Sequence, residues 1–286
     1  MSATLAALLD AAATELAAAS PAPRLDAELL LAHALGKRRS YLRAYPEKHL
    51  DAPALQAFRR LLAARKGGEP IAYLTSKREF WSLPLKVTPA TLIPRHETEL
   101  LVELALQRIP QSAAWRLLDL GTGSGAVALA LACERPHCRI TATDLSMAAL
   151  AVAADNTADL GFGNVELLTG DWFAPLGERR FHLIVSNPPY VREDDPHLRM
   201  GDVRFEPRSA LTAGSDGLRD LSRIIASAPS YLEQGAWILL EHGHDQGAAV
   251  RALLSEHGFR DVATSRDMQG VERVSGGLWA NLAASR

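Results

Sequence analysis

From Arg116 onward, short apolar runs alternate with helix-length stretches, and that alternation leaves the chain few folds to choose from. The candidate strands are Arg116–Leu120, Arg139–Asp144, Val165–Thr169, Phe181–Ser186 and Ala236–Glu241. Amphipathic segments at 125–134, 146–160, 218–232 and 246–257 follow or separate them. Neighbouring strands that run the same way need a long crossover, which a helix supplies. The expected fold is therefore α/β, with a parallel, doubly wound sheet. Asp261–Arg266 and Gly277–Leu282 are candidates for two further strands.

The first quarter of the chain has a different texture. Leu5, Leu8, Leu9 and Ala12 lie at helical spacing, as do Ala27, Leu30, Leu31 and Leu35, with Pro21 and Pro23 between the two sets. Asp26 is read as opening the second helix, and Asp51 as a cap ahead of Pro53 and a further helix. Gly67-Gly68 ends that run. Residues 1–75 are thus expected to form a small all-helical domain of four or five helices. Residues 76–95, where Phe80 to Val87 alternates, are read as a linker containing an extended stretch or β-hairpin. Residues 96–286 form the α/β domain, opening on a helix from Glu97 to Ile109.

Composition excludes several classes. The formal net charge is −2, so no field that would gather a polyanion is expected. Residues 1–75 hold ten Lys/Arg against seven Asp/Glu, and the rest 21 against 26, a modest asymmetry. Cys133 and Cys138 lack companion ligands, which argues against a zinc site and a disulfide framework. No run reaches the length of a membrane span, and the Ala-rich start lacks a basic leader region, so a cytoplasmic protein is expected.

The chemistry is expected at two strand ends. Ile184-Val185-Ser186 runs into Asn187-Pro188-Pro189-Tyr190. Each proline fixes its own φ and pushes the preceding residue away from helix, so Asn187 is held extended at the strand's carboxyl end. Ligands bind at that end in open α/β sheets. The Asn187 side-chain oxygen and the Pro188 carbonyl can then accept both hydrogens of one planar NH₂ group. A plain strand-ending turn is the competing interpretation of Asn-Pro alone.

The second end is Asp119-Leu120-Gly121-Thr122-Gly123-Ser124-Gly125, a strand, a glycine turn and a helix. Glycines let backbone approach a ligand closely. Asp144, closing the next strand 23 residues after Gly121, suits a pair of ribose hydroxyls, with a helix cap as its alternative. Asp171 and Trp172 end the third strand and suit an adenine amino group and ring, or else a surface turn beside a buried Trp. These pieces fit either a nicotinamide enzyme or one using S-adenosylmethionine (SAM). The Gly-x-Gly-x-Gly spacing and acidic Asp119 disfavour a pyrophosphate and suit SAM's ammonium instead. His182, His242 and His244 invite a general-base role, which is discounted because an amide loses its proton readily once methylated.

Together these motifs resemble the PrmC/HemK family, which methylates the glutamine of the Gly-Gly-Gln loop in peptide chain release factors. The resemblance rests on the glycine loop, on Asn187 to Tyr190 and on Gly201-Asp202-Val203-Arg204-Phe205-Glu206-Pro207. It extends to Gly68-Glu69-Pro70-Ile71-Ala72-Tyr73, Arg78-Glu79-Phe80-Trp81 and Thr91-Leu92-Ile93-Pro94-Arg95 at the junction. His96 departs from it, standing where the family usually has proline, while Glu97-Thr98-Glu99 keeps the pattern. The resemblance implies a Rossmann-like class I SAM-dependent sheet with an N-terminal helical docking domain. It implies SAM bound by Asp119, Gly121, Thr122, Gly123, Ser124, Gly125, Asp144, Asp171, Trp172 and Asn187, and a release-factor glutamine held by Asn187, Pro188, Pro189 and Tyr190, with Tyr190 as the wall against the amide plane. Asn-Pro-Pro-Tyr is shared with enzymes methylating amino groups of DNA and RNA. A related group acting on a ribosomal-protein glutamine is the nearest rival.

Overall fold

The computed structural model describes residues 3–280, which fall into two compact units. One comprises the chain up to Lys77 together with His197–Phe205; the other begins at Arg78, pauses after Pro196 and resumes at Glu206.

The first unit is helical: α1 Leu5–Leu16, α2 Pro23–Leu35, α3 Arg39–Ala44, α4 Ala52–Lys66 and α5 Ile71–Thr75. Capping follows side-chain chemistry. Thr4 Oγ1 accepts from Ala7 N at 3.3 Å, and Asp51 Oδ1 accepts from Ala54 N at 2.8 Å, satisfying donors that the first turn leaves open. Leu5, Leu9, Leu16, Leu30, Leu31, Phe58 and Leu62 form its core.

Asp26 does not open α2, as its sequence position suggests; the helix starts at Pro23, whose fixed φ suits a first turn. Asp26 is instead buried, taking Arg65 Nε at 2.7 Å and Ser20 Oγ at 2.7 Å on one oxygen. Arg65 also donates to Glu69 O at 3.1 Å and to Asp202 Oδ1 at 2.9 Å, holding the His197–Phe205 segment within this unit. Arg204 donates to Gly67 O at 2.7 Å, and its guanidinium occupies the space a Cβ at Gly68 would need. With φ at +94°, that position takes glycine for two reasons.

From Arg78 the second unit takes up a hairpin, β1 Lys77–Phe80 and β2 Leu83–Lys86, whose Phe80 and Leu85 are buried in its core with α6 Glu99–Arg108. Then follow β3 Arg116–Leu120, α7 Ala126–Glu134, β4 Arg139–Asp144, α8 Met147–Leu160, β5 Val165–Thr169, β6 Phe181–Ser186, α9 Arg219–Ser227, β7 Leu232–Glu241, α10 Gly247–Glu256, β8 Phe259–Arg266 and β9 Glu272–Trp279. The sheet order is β5-β4-β3-β6-β7-β9-β8. Alternate residues serve opposite faces, as the strand period requires: Leu117, Leu183 and Leu239 pack on one side, Leu118, Ile184 and Ile238 on the other.

The sheet is parallel from β5 through β7 and antiparallel beyond. The β8–β9 connection is too short to cross over, and β9 inserts between β7 and β8. Of the candidate strand Gly277–Leu282, the last two residues lie outside the described ones. His96 begins a short 3₁₀ turn, His96–Thr98, which leads into α6. Among the described residues no helix is long and apolar enough to cross a membrane.

Candidate active site

The carboxyl ends of β3, β4, β5 and β6 surround a cavity of about 430 Å³, within the range of small-molecule sites. It lies wholly in the second unit. Of the residues singled out above, Asp119, Gly121, Thr122, Gly123, Ser124, Asp144, Asp171, Trp172, Asn187 and Pro189 line it. Gly125, Pro188 and Tyr190 do not.

The glycine loop is folded by β4. Thr143 O accepts from Gly121 N at 2.9 Å and Thr122 N at 3.0 Å, bending the chain at the end of β3. Gly121 has φ +71°, and a Cβ there would lie 3.1 Å from Trp172 Cζ3. Gly125 caps α7 at φ +86°, where a Cβ would press on Leu129. Gly125 therefore serves the bend and packing rather than the cavity wall. Trp172 itself has φ +49°, a region bulky residues rarely enter, and its carbonyl accepts from Thr143 Oγ1 at 3.1 Å.

Three carboxylates reach the cavity in different states. Asp119, 2 % exposed, accepts from Thr122 Oγ1 at 2.6 Å. Burial pushes its pKa up to about 6, and the neighbouring Asp144 charge adds to that. Asp144 accepts from Ser146 N at 2.8 Å and Gly123 N at 2.9 Å, one on each oxygen; burial still raises its pKa. It does not cap α8, because Ser146 does so through Ala149 N. Asp171 accepts from Arg223 Nη2 at 2.6 Å.

A buried carboxylate is stabilised by a cationic partner, so Asp119 can accept from an ammonium, and Asp144 keeps lone pairs beyond its two backbone bonds that can accept from hydroxyls.

Asn187 sits where β6 stops. Ser186 Oγ donates to Leu120 O at 2.7 Å, tying the ends of β6 and β3 together. Asn187 Nδ2 donates to Thr98 Oγ1 at 3.1 Å. With its NH₂ end engaged, the amide has Oδ1 left as an acceptor. The chain beyond is pinned too: Gln246 Nε2 donates to Tyr190 O at 3.0 Å, and Val191 N to Leu211 O at 2.8 Å. The Tyr190 hydroxyl turns inward to Glu241 Oε1 at 3.1 Å.

The junction motifs serve the same site. Glu206 accepts from Ile93 N at 3.2 Å and pairs with Arg95, fixing the approach to Thr98. Two of the three histidines have other partners. His242 is fully buried between Gly243 O and Ser275 Oγ, and His182 stacks on Trp115 while accepting from Arg116 N. Sequence reasoning missed Thr98 and Arg223, which line the cavity and hold Asn187 and Asp171. The Glu97-Thr98-Glu99 run is the one available signal for Thr98.

The fold agrees with the comparisons to known proteins. A family model described as the methyltransferase small domain matches residues 97–205, and one described as the PrmC N-terminal domain matches 7–75. A methyltransferase from Pyrococcus furiosus has a similar fold, with a TM-score of 0.54 at 18% identity, covering 70% of this chain and 90% of its own. The second unit is a small-domain methyltransferase by fold and family. The Vibrio cholerae release factor glutamine methyltransferase is 50% identical over 281 residues, 98% of each chain. That of Pseudomonas aeruginosa is 54% identical over 261 residues, 91% of this chain and 94% of its own. The chain belongs to the release factor glutamine methyltransferase family.

Proposed function

We propose that this protein transfers a methyl group from SAM to the side-chain amide nitrogen of the glutamine in the Gly-Gly-Gln loop of peptide chain release factors, in the cytoplasm. The observation that carries the reading is the Asn187 carboxamide, anchored by its nitrogen at the rim of an acidic, glycine-walled cavity. SAM, when bound, supplies an electrophilic methyl group. Asp119 would hold its ammonium, Asp144 the ribose hydroxyls, and Asp171 with Trp172 the adenine.

An amide nitrogen is a poor nucleophile because its lone pair is delocalised into the carbonyl. Asn187 Oδ1 and the Pro188 carbonyl can accept its two hydrogens, orient the nitrogen and favour its pyramidal form. Positive charge grows on that nitrogen as the methyl group's bond to sulfur breaks, and fixed acceptor dipoles stabilise it without reorganising. The methylated nitrogen then releases one proton to water. Pro189 and Tyr190 would keep this short segment stiff. Free glutamine amides are common on proteins, so selectivity needs a second contact surface, and the helical unit is the proposed one.

Labelled SAM offered with release factor, ribosomal protein, adenine-containing DNA or RNA tests the assignment. Label is expected in the release factor; label confined to nucleic acid or to the ribosomal protein contradicts it.

Two binding results follow. Asp144→Ala is expected to weaken SAM binding by roughly 1.5–3 kcal/mol, the scale of hydrogen bonds to a charged group, with the fold intact. Calorimetric titration measures this, and unchanged affinity would remove Asp144 from the site. Asp119 must be ionised to hold an ammonium, and its pKa is about 6. Affinity for SAM should therefore hold near pH 7 and fall as pH drops through 6. One unit below the pKa, about a tenth of the carboxyl remains ionised, so the loss approaches tenfold by pH 5. Equal affinity at pH 5 and 7 would count against the Asp119 role.

A further inference from the structure

Gln246 immediately precedes α10 and is 8 % exposed, yet its side chain caps no donor of that helix. A buried carboxamide must find partners for its acceptor and its two donors elsewhere. Its Oε1 accepts from Gly243 N at 2.8 Å, while Nε2 donates to Tyr190 O at 3.0 Å and to Asp216 O at 3.4 Å. The amide cannot be turned over, because the Gly243 N–H only donates and the two carbonyls only accept.

The partners of Gln246 are held in turn. His242, fully buried, bonds the Gly243 carbonyl at 2.8 Å through Nδ1. Gly217, next after Asp216, has φ +73°, and a Cβ there would lie 2.2 Å from Tyr190 O and 2.7 Å from Gln246 Nε2. Backbone is thus pressed directly against the bond from Gln246 to Tyr190, and only glycine fits. Tyr190 is gripped at its other polar groups too: its amide donates to Leu211 O at 3.2 Å and its hydroxyl to Glu241 Oε1 at 3.1 Å.

This clamp matters because of the two prolines before it. Neither Pro188 nor Pro189 has an N–H, so the peptide groups on either side of Pro188 offer no donor that could fix the direction of its carbonyl. That direction is inherited from the flanking residues. At the amino end, Ser186 Oγ donates to Leu120 O and Asn187 Nδ2 to Thr98 Oγ1. At the carboxyl end, the corresponding side-chain bond is the one from Gln246 to Tyr190 O.

We propose that Gln246 is a positioning residue for methyl transfer: by fixing the Tyr190 carbonyl against Gly217, it aims the Pro188 carbonyl at the substrate amide. This rests on the reading that Asn187 and the Pro188 carbonyl grip that amide. Gln246 itself lies outside the cavity and touches neither SAM nor substrate in this arrangement.

The test uses the full chain with SAM and release factor. Gln246→Glu keeps the shape and the bond from Gly243 but turns an oxygen toward the Tyr190 and Asp216 carbonyls. Gln246→Met keeps the length and gives up both ends. Each is expected to lower kcat roughly 10–100-fold, the scale on which a misplacement of about 1 Å at the reacting centre acts. SAM affinity and KM for release factor should stay near wild type, which separates aim from general structure. Gly217→Ala, which crowds the same carbonyl, should lower kcat in the same way. Combined with Gln246→Met it should lose little more than the worse single variant, because both displace one group.

Wild-type kcat in Gln246→Met, alongside a strongly impaired Asn187→Ala, would overturn the positioning role while leaving the amide clamp standing. Full activity in Asn187→Ala would instead overturn the reading beneath it. A fall in kcat matched by an equal loss of SAM affinity would also overturn the proposal. So would failure of both Gln246 variants to fold, since the side chain would then hold the domain rather than the segment.

Discussion

Asn187→Ala is expected to reduce turnover by about 10²–10³, with SAM affinity nearly unchanged. The magnitude follows from the loss of one fixed dipole aimed at charge that develops in the transition state. The substrate amide would keep the Pro188 carbonyl as its single acceptor, free to rotate about that bond. Ground-state binding should suffer less than kcat, because the acceptor matters most when the nitrogen becomes positive. The side chain is anchored to Thr98, so its removal leaves the Thr98 hydroxyl short of a donor but does not open the core. Steady-state kinetics together with SAM titration would separate the two effects. Near-normal turnover would show that the proposed amide clamp is not the source of rate.

Arg65→Ala should be the most damaging single change in the helical unit, destabilising it by about 3–5 kcal/mol. Arg65 is 5 % exposed and Asp26 7 %, so the pair sits out of water. Removing the guanidinium leaves the Asp26 carboxylate with only the Ser20 hydroxyl, and strips Asp202 and the Glu69 carbonyl of a donor. An uncompensated buried charge is far worse than no charge at all. Replacing Arg65 and Asp26 together with Met and Leu should therefore cost much less than Arg65→Ala alone. Chemical denaturation of the full chain measures both, and a loss under about 1 kcal/mol for Arg65→Ala contradicts the account. The His197–Phe205 segment depends on the same guanidinium. Faster proteolytic cleavage within it is expected in the variant.

What the sequence shows clearly is local. The strand–glycine–helix run from Leu117 to Ala126 can be read directly, because φ-permissive residues and periodicity both act over a few positions. The same holds for the Asp51 cap and the strand end at Asn187. What remained hidden depends on partners distant along the chain. Asp26 looks like a helix opener until Arg65, 39 residues on, is found beside it. β9 reads as a further strand of the series, but its place between β7 and β8 follows from pairing that no local pattern encodes. Tyr190 is a natural wall for a flat substrate, yet its hydroxyl is drawn to Glu241, 51 residues away, and it leaves the cavity wall to Pro189. Thr98 shows the same limit at the site itself, since nothing around it in the chain announces its contact with Asn187, 89 residues on.

The central claim is that Asn187 directs methyl transfer to one glutamine amide, and mapping the methyl group tests it most directly. Release factor incubated with the protein and labelled SAM would be digested and sequenced by tandem mass spectrometry, in parallel with the Asn187→Ala variant. The account predicts a single methyl on the side-chain nitrogen of the Gly-Gly-Gln glutamine, formed far more slowly by the variant. A methyl on any other residue, or the same glutamine modified equally fast without Asn187, would contradict it.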